Sequence, residues 1–422
     1  MLLSVYLPLS IVLLCIIGPL LKGFFKKDSL YFFSPMVFSG VVYFYYIIVS
    51  LNKCKLNHIF IGDGISILLW GTALFMLSSL LAFQVKYKRT LFRRINMTFQ
   101  QNRTALYKKA IILFLVGFIA YVSIEGFSFT IFKEQVYQKF DASDSYGHTS
   151  AYISQLIAIC PAAICLTFAS GKRRLIMIMM IVLYIITALL NGSRYFLAVL
   201  LLMFGTFYHL YPEIKKINWL KIIIIAVFFY VSMGIIEFTR NYGHGLDIDK
   251  IENLEKGKIV EGATEGYGVF KFSAEVMEMY DKEDFIYFEP LVTAILMPFP
   301  RILFPNKPTG YYLRDANIRV YGNIYRGSAF LNVTEAYISF GWFGIIIYGL
   351  IFGLFSKLVW KNYLMSRTVG SILLLSSYNA WIYIFISRGY MAQAFTNFVF
   401  FVILPFCMIW LIDKMYKRKA II

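Results

Sequence analysis

Long apolar runs alternate with short polar turns along most of this chain. A helix rises about 1.5 Å per residue, so roughly 20 apolar residues cross the hydrocarbon layer of a bilayer. On that criterion the spans fall at 2–21, 30–51, 65–84, 109–124, 151–169, 175–191, 195–211, 219–237, 333–356, 370–386 and 392–412, about eleven in all. No secretory cleavage site stands out after the first run, so Met1 to Leu21 is expected to stay as a helix. The pattern predicts an all-α polytopic membrane protein.

Two polar stretches interrupt the short turns. Glu125 to Ser150 carries Lys133, Glu134, Asp141, Asp144 and His148, and Phe238 to Asn332 is far longer. Loops beyond about 15 residues are usually functional or disordered. Tyr267, Phe270, Tyr280, Phe285, Tyr287, Tyr311 and Tyr312 are too many aromatics for a disordered stretch. The expected organisation is an N-terminal helix bundle (1–237), a folded extracytoplasmic loop capping the helices (238–332) and C-terminal membrane helices (333–422).

Charge sets the orientation. Lys22 to Lys27, Lys86 to Lys109, Lys172 to Arg174, Lys215 to Lys221, Lys357 to Arg367 and the tail from Lys414 to Lys419 hold more than half of the 41 Lys and Arg. Alternate threading puts all of these segments on one face, which the positive-inside bias makes cytoplasmic. The N-terminus and the long loop then face outward. A hydrophobic content of 59% and a mean hydropathy of +0.67 agree with a membrane protein. The net charge of +18 is spread over short loops, which fits topology and contact with anionic membrane lipid rather than nucleic acid.

Four arginines depart from the charge bias. Arg194, Arg240, Arg301 and Arg388 each flank the outward end of an apolar run. Arg194 follows the Asn191-Gly192-Ser193 turn, and Arg388 stands in the turn Ser387-Arg388-Gly389. Arg240 follows Glu237, where a helix runs out into the long loop. Arg301 and Lys307 lie between Pro298, Pro300, Pro305 and Pro308, which hold the backbone extended and stiff. An arginine at such a place can simply snorkel to the headgroups. It also offers a planar fork that grips phosphate with two hydrogen bonds. Arg194, Arg240, Arg301, Lys307 and Arg388 together suggest a site for an anionic lipid headgroup such as a diphosphate.

Glu335 is an isolated acid at the outward entry of an apolar helix, a functional candidate by default. It can act as a base or orient an arginine, and Glu237 has the same two options. His148 and His244 are loop histidines able to serve as bases. Asp247 and Asp249 form an Asp-x-Asp pair of the kind that binds metal in nucleotide-sugar transferases, but nucleotide sugars are cytoplasmic and this pair faces out. Of the five cysteines, Cys54 is expected in a loop, and Cys15, Cys160, Cys165 and Cys407 inside apolar runs. There is no CxxC and no His/Cys cluster, so neither a disulfide framework nor a metal site is expected.

The patches Gly192-Ser193-Arg194, Pro300-Arg301-Ile302-Leu303-Phe304-Pro305-Asn306-Lys307-Pro308, and Thr334-Glu335 followed by Phe340-Gly341 resemble the Wzy-type oligosaccharide repeat-unit polymerases, the O-antigen polymerase family. The dominant outer loop between late helices is similar as well. That resemblance implies a GT-C-like frame of about 11–12 transmembrane helices in the bacterial cytoplasmic membrane. It implies that a glycan on undecaprenyl diphosphate passes to the free-end sugar of a second lipid-linked repeat unit on the extracytoplasmic side. Donor and acceptor would both be lipid-linked, a chain-length regulator protein would be a partner, and no cofactor would be needed. Arg194, Arg301 and Arg388 would bind diphosphate, with Arg240 and Lys307 in support and Glu335 and Arg301 in catalysis. The rivals are a ligase moving finished glycan onto a lipid A core, which would rest on an outer-loop histidine such as His244, and a flippase or exporter, which would need polar residues across the bilayer. A membrane acyltransferase would want a histidine buried in a helix, and only His209 comes near that.

Overall fold

A computed structural model describes residues 2–25, 29–56, 62–85, 103–125, 152–190, 194–212, 220, 227, 240–241, 245–246, 266–299, 303–304, 311–322 and 329–419. The first seven helices are α1 (Leu2–Phe25), α2 (Pro35–Leu56), α3 (Asp63–Gln84), α4 (Arg103–Glu125), α5 (Cys160–Ser170), α6 (Arg174–Leu190) and α7 (Arg194–Leu210). A two-residue antiparallel pair follows, β1 (Arg240–Asn241) with β2 (Gly245–Leu246), in which Arg240 opposes Leu246. Three short helices come next: α8 (Gly266–Met279), α9 (Glu289–Leu296) and α10 (Tyr311–Tyr321). The chain ends in α11 (Asn332–Ser366), α12 (Val369–Ser387), α13 (Met391–Phe398) and α14 (Leu404–Lys419), the last two joined by a π-helical segment, Val399–Ile403.

Ten of the apolar runs read from the sequence coincide with described helices. Among the described residues 8 helices are long and apolar enough to cross a membrane, and Arg174–Ala188 and Tyr195–Leu210 are shorter apolar helices. The run at 219–237 lies almost wholly outside the described residues, as does the polar stretch 126–150.

Local chemistry sets several boundaries. Pro161 occupies the first turn of α5, where its missing N–H costs nothing, and Gly171 ends that helix in the left-handed conformation. Thr368 caps α12 by accepting a hydrogen bond from the Ser371 amide at 3.3 Å. Cys54, expected in a loop, lies in the last turns of α2 and is buried, because that helix runs past the apolar stretch into Asn52-Lys53-Cys54.

The span expected to run unbroken from 333 to 356 is neither continuous nor that short. It extends to Ser366 and breaks at Phe340 and Gly341, whose backbone angles are non-helical. Gly341 has φ +62°, which a side chain would disfavour. The break frees the carbonyls of Ile338 and Ser339, and the amides of Ile286 and Tyr287 take them up at 3.0 and 3.1 Å. Non-helical backbone at membrane depth survives only where protein satisfies it in this way.

The most extensively packed pair is α3 with α11. Gly349 and Gly353, one turn apart, let the backbones close on each other. A Cβ at Gly353 would stand 2.1 Å from the Ser79 carbonyl oxygen, and one at Gly349 would stand 2.0 Å from the Ser78 hydroxyl. Close approach through small residues is how helices associate without a hydrophobic difference from lipid.

Contacts sort the helix ends. Lys172 bonds Thr104, the Tyr211 hydroxyl bonds the Ala169 carbonyl at 2.9 Å, and Lys109 pairs with Asp413. These ends of α4, α5, α7 and α14 therefore lie together. The start of α7 at Arg194, the α12–α13 turn at Arg388 and the start of α11 fall at the opposite end. There α8 packs on α2, α3 and α11, α9 on α13, and α10 on α8. A small second core of Phe272, Val276, Tyr280, Tyr312, Ala316, Phe330 and Ile338 ties α8, α10 and α11.

Candidate functional site

The first turn of α11 is buried and polar. Asn332, Thr334 and Glu335 are each at most 1% exposed. The Asn332 Oδ1 accepts from the Tyr43 hydroxyl of α2 at 2.6 Å, and the Leu331 amide just before it donates to Ser273 Oγ of α8 at 2.8 Å. Two elements, α2 and α8, thus fix where α11 begins.

Glu335 uses both carboxylate oxygens. Oε1 accepts a short hydrogen bond from the Tyr312 hydroxyl of α10, and Oε2 accepts from the Met391 amide at 2.6 Å. That amide is the first of α13, and Glu335 itself lies in the first turn of α11. The carboxylate therefore stands at two helix N-termini, where unpaired N–H groups and the helix dipole favour negative charge. Burial, then the nearby carboxylate, push the Tyr312 phenol far above its ordinary range, so it remains a donor. The Tyr390 ring lies 5.5 Å from that of Tyr312.

The same contacts hold the arginine turn. Arg388 ends α12, and the Tyr390 amide donates back to the Arg388 carbonyl, closing a three-residue turn about Gly389. Gly389 lies flat on the entry to α11: a Cβ there would stand 2.3 Å from the Asn332 nitrogen and 2.3 Å from the Leu331 carbonyl carbon. Met391, the next residue but one, is the residue anchored by Glu335. Arg388 is half-buried.

Of the residues singled out by sequence, the structure brings Glu335 and the Arg388 turn together. Arg194 opens α7 at the same end of the bundle, and α7 packs along α12, but its side chain lies outside the described residues. Arg240 lies in β1, whose partner β2 rests against α6; its side chain is outside the described residues too. Arg301, Lys307, Glu237, His148, His244, Asp247 and Asp249 fall outside the described residues. His209 is in α7, at the end opposite Arg388, buried with its ring 5.8 Å from Phe33. Among the described residues no group of three His, Cys, Asp or Glu could hold a metal.

Sequence reasoning missed Tyr312 as a partner of Glu335 and counted it only among the aromatics of the loop. It also missed the backbone amide of Met391. A hydroxyl 23 residues upstream leaves no local pattern. Gly389 beside an arginine in a short turn was visible as a residue, though not as a contact.

A family model described as O-antigen polysaccharide polymerase Wzy matches residues 1–420. No curated protein and no solved structure matches the chain.

Proposed function

Because this multi-pass membrane protein belongs to the Wzy family of O-antigen polysaccharide polymerases, we propose that it joins undecaprenyl-diphosphate-linked oligosaccharide repeat units at the outer face of the bacterial cytoplasmic membrane. The acceptor sugar hydroxyl attacks the anomeric carbon of the donor glycan. The bond from that carbon to the diphosphate oxygen breaks, its electron pair stays on the diphosphate, and the hydroxyl proton passes to a base. No nucleotide is consumed, so the leaving diphosphate supplies the driving force, and cations aimed at its developing charge lower the barrier.

Arg388 is the residue whose surroundings best support this reading. The observation that carries it is the backbone of the Arg388–Met391 turn, fixed twice by the entry to α11. Gly389 is pressed on Leu331 and Asn332, and Glu335 accepts from Met391. A guanidinium on a held turn loses little freedom on gripping a diphosphate. Arg194 joins it from the start of α7, with Arg301, Arg240 and Lys307 assigned to the same anion. Glu335 had two roles open to it. Its two hydrogen bonds support the positioning one, in which it sets the turn and holds Tyr312, rather than that of a base.

In this reading residues 238–332 form an extracytoplasmic cap on a GT-C-like frame, with α8 to α10 as its described part. The partners are the lipid-linked donor and acceptor, the surrounding lipids and a chain-length regulator. The test is the surface glycan ladder of cells lacking the gene, complemented with wild type or Arg301→Ala at equal membrane expression. A single repeat unit left on the core supports polymerase and implicates Arg301. Free polymer that never reaches the core would mark a ligase, and an unchanged ladder in the deleted cells would overturn the assignment.

A further inference from the structure

From Pro290 to Pro300 the chain carries no ionisable side chain. This stretch contains all of α9 but its first residue, the exposed Glu289; the helix buries Pro290, Thr293 and Ala294 and packs against α13. Its other face should be polar if water covers it, since surface helices segregate charge outward. It is not. Phe288 is 63% exposed, Leu291 47%, Val292 46% and Ile295 50%, and their spacing of three and four residues puts them on one stripe. Past Glu289, every exposed side chain of the helix is apolar.

The stripe does not stop at α9. Phe288 packs against Phe340 with ring centroids 5.0 Å apart, and Tyr287 donates its amide to Ser339 beside the break in α11. Just past Phe340, Trp342 and Phe343 face outward, and Ile351 continues the outward face two turns further along the same helix. The exposed face of α9 is thus continuous with the outward surface of a membrane-crossing helix.

We propose that α9 is embedded in the bilayer, with Phe288, Leu291, Val292 and Ile295 lying among the acyl chains of one leaflet as a short re-entrant helix. Three features select lipid as the occupant. The stripe runs into a lipid-facing surface, no charge interrupts it between Pro290 and Pro300, and the backbone amides of Glu289, Val292, Met297 and Phe299 are satisfied within the segment. Polar backbone at membrane depth requires that last condition. The segment between α8 and α10 is therefore anchored in the membrane by α9 instead of standing wholly in water. The placement of α9 in the leaflet is independent of which glycan chemistry the protein performs.

The test places single cysteines at Val292 and Ile295 in a Cys407→Ser background, since Cys15, Cys54, Cys160 and Cys165 are buried. Each is labelled with a bimane maleimide, and the full chain is reconstituted in phosphatidylcholine vesicles with or without brominated acyl chains. Ile351→Cys serves as the lipid-facing control and Lys282→Cys as the water-facing one. The expected result is loss of Val292→Cys and Ile295→Cys fluorescence in brominated lipid to the level of Ile351→Cys, with little quenching by aqueous iodide. Iodide quenching like that of Lys282→Cys overturns the proposal. Quenching by neither agent also overturns it and points to a second copy of the chain covering the stripe.

Discussion

Tyr312 of α10 donates its hydroxyl hydrogen to Glu335 in the first turn of α11, inside the small core that ties these helices together. Removing that hydroxyl in Tyr312→Phe leaves a buried carboxylate oxygen without its donor. The expected cost is about 1–3 kcal/mol. It should appear as a lower unfolding temperature in detergent and a weakened glycan ladder. Wild-type stability in Tyr312→Phe would show that the bond contributes nothing.

Gly389→Ala is predicted to be nearly as damaging to the ladder as loss of Arg388 itself. The new methyl would meet Asn332 and Leu331 backbone at 2.3 Å, so the turn must move off α11. Because α12 and α13 are otherwise untouched, the variant should still reach the membrane. A Gly389→Ala ladder equal to wild type at matched expression contradicts the positioning role of the turn.

At the other end of the bundle, Lys109 and Asp413 form a buried ion pair, with side-chain exposures of 3% and 11%. Removing either side chain takes a close counter-charge away from a buried ion, at a cost of about 3–5 kcal/mol. Lys109→Met or Asp413→Leu alone should therefore destabilise the protein strongly. The double variant should recover much of the loss, because a well-packed apolar pair replaces the ions without desolvation. Thermal unfolding of the three variants in detergent checks this, and a double variant as unstable as the worse single one would contradict it.

Asp284 beside Arg319 provides a pH-dependent contact in the segment between α8 and α10. The guanidinium donates to the carboxylate at 2.8 Å and holds its pKa below the ordinary carboxylate range. A depressed folded pKa means the stabilisation is present above the unfolded value, about 4. It is lost as pH falls through the lower folded value. Arg319 also lies 4.8 Å from the centre of the Tyr280 ring, a contact that Asp284→Asn leaves in place. Hydrogen exchange of the amides near Asp284 should thus differ between wild type and Asp284→Asn at pH above about 4, and converge at lower pH. A difference that persists unchanged in acid contradicts the assignment.

The membrane helices were legible because hydrocarbon demands long apolar runs, and that demand is written residue by residue. Glu335 was legible for the opposite reason, as a lone acid in such a run. Its partners were not, since Tyr312 lies in the long loop and the Met391 group is a backbone amide that every residue shares. The break at Phe340–Gly341 was equally hidden. A glycine in an apolar helix is common in membranes, and only the neighbouring amides of Ile286 and Tyr287 show that two carbonyls there needed partners. The outward stripe of α9 is periodic in sequence, but it is short enough to pass for part of a water-exposed loop.

In the proposed reaction Arg388, on a turn held by Gly389 and Glu335, grips the diphosphate of the lipid-linked donor. The most direct measurement is the surface glycan ladder in deletion cells complemented with Arg388→Ala, Arg388→Lys or wild type at equal membrane expression. Arg388→Ala is expected to leave single repeat units on the core and Arg388→Lys to restore only short chains, because an ammonium keeps the charge but not the fork. A full-length ladder from Arg388→Ala would contradict this role and leave Arg388 as an interfacial anchor.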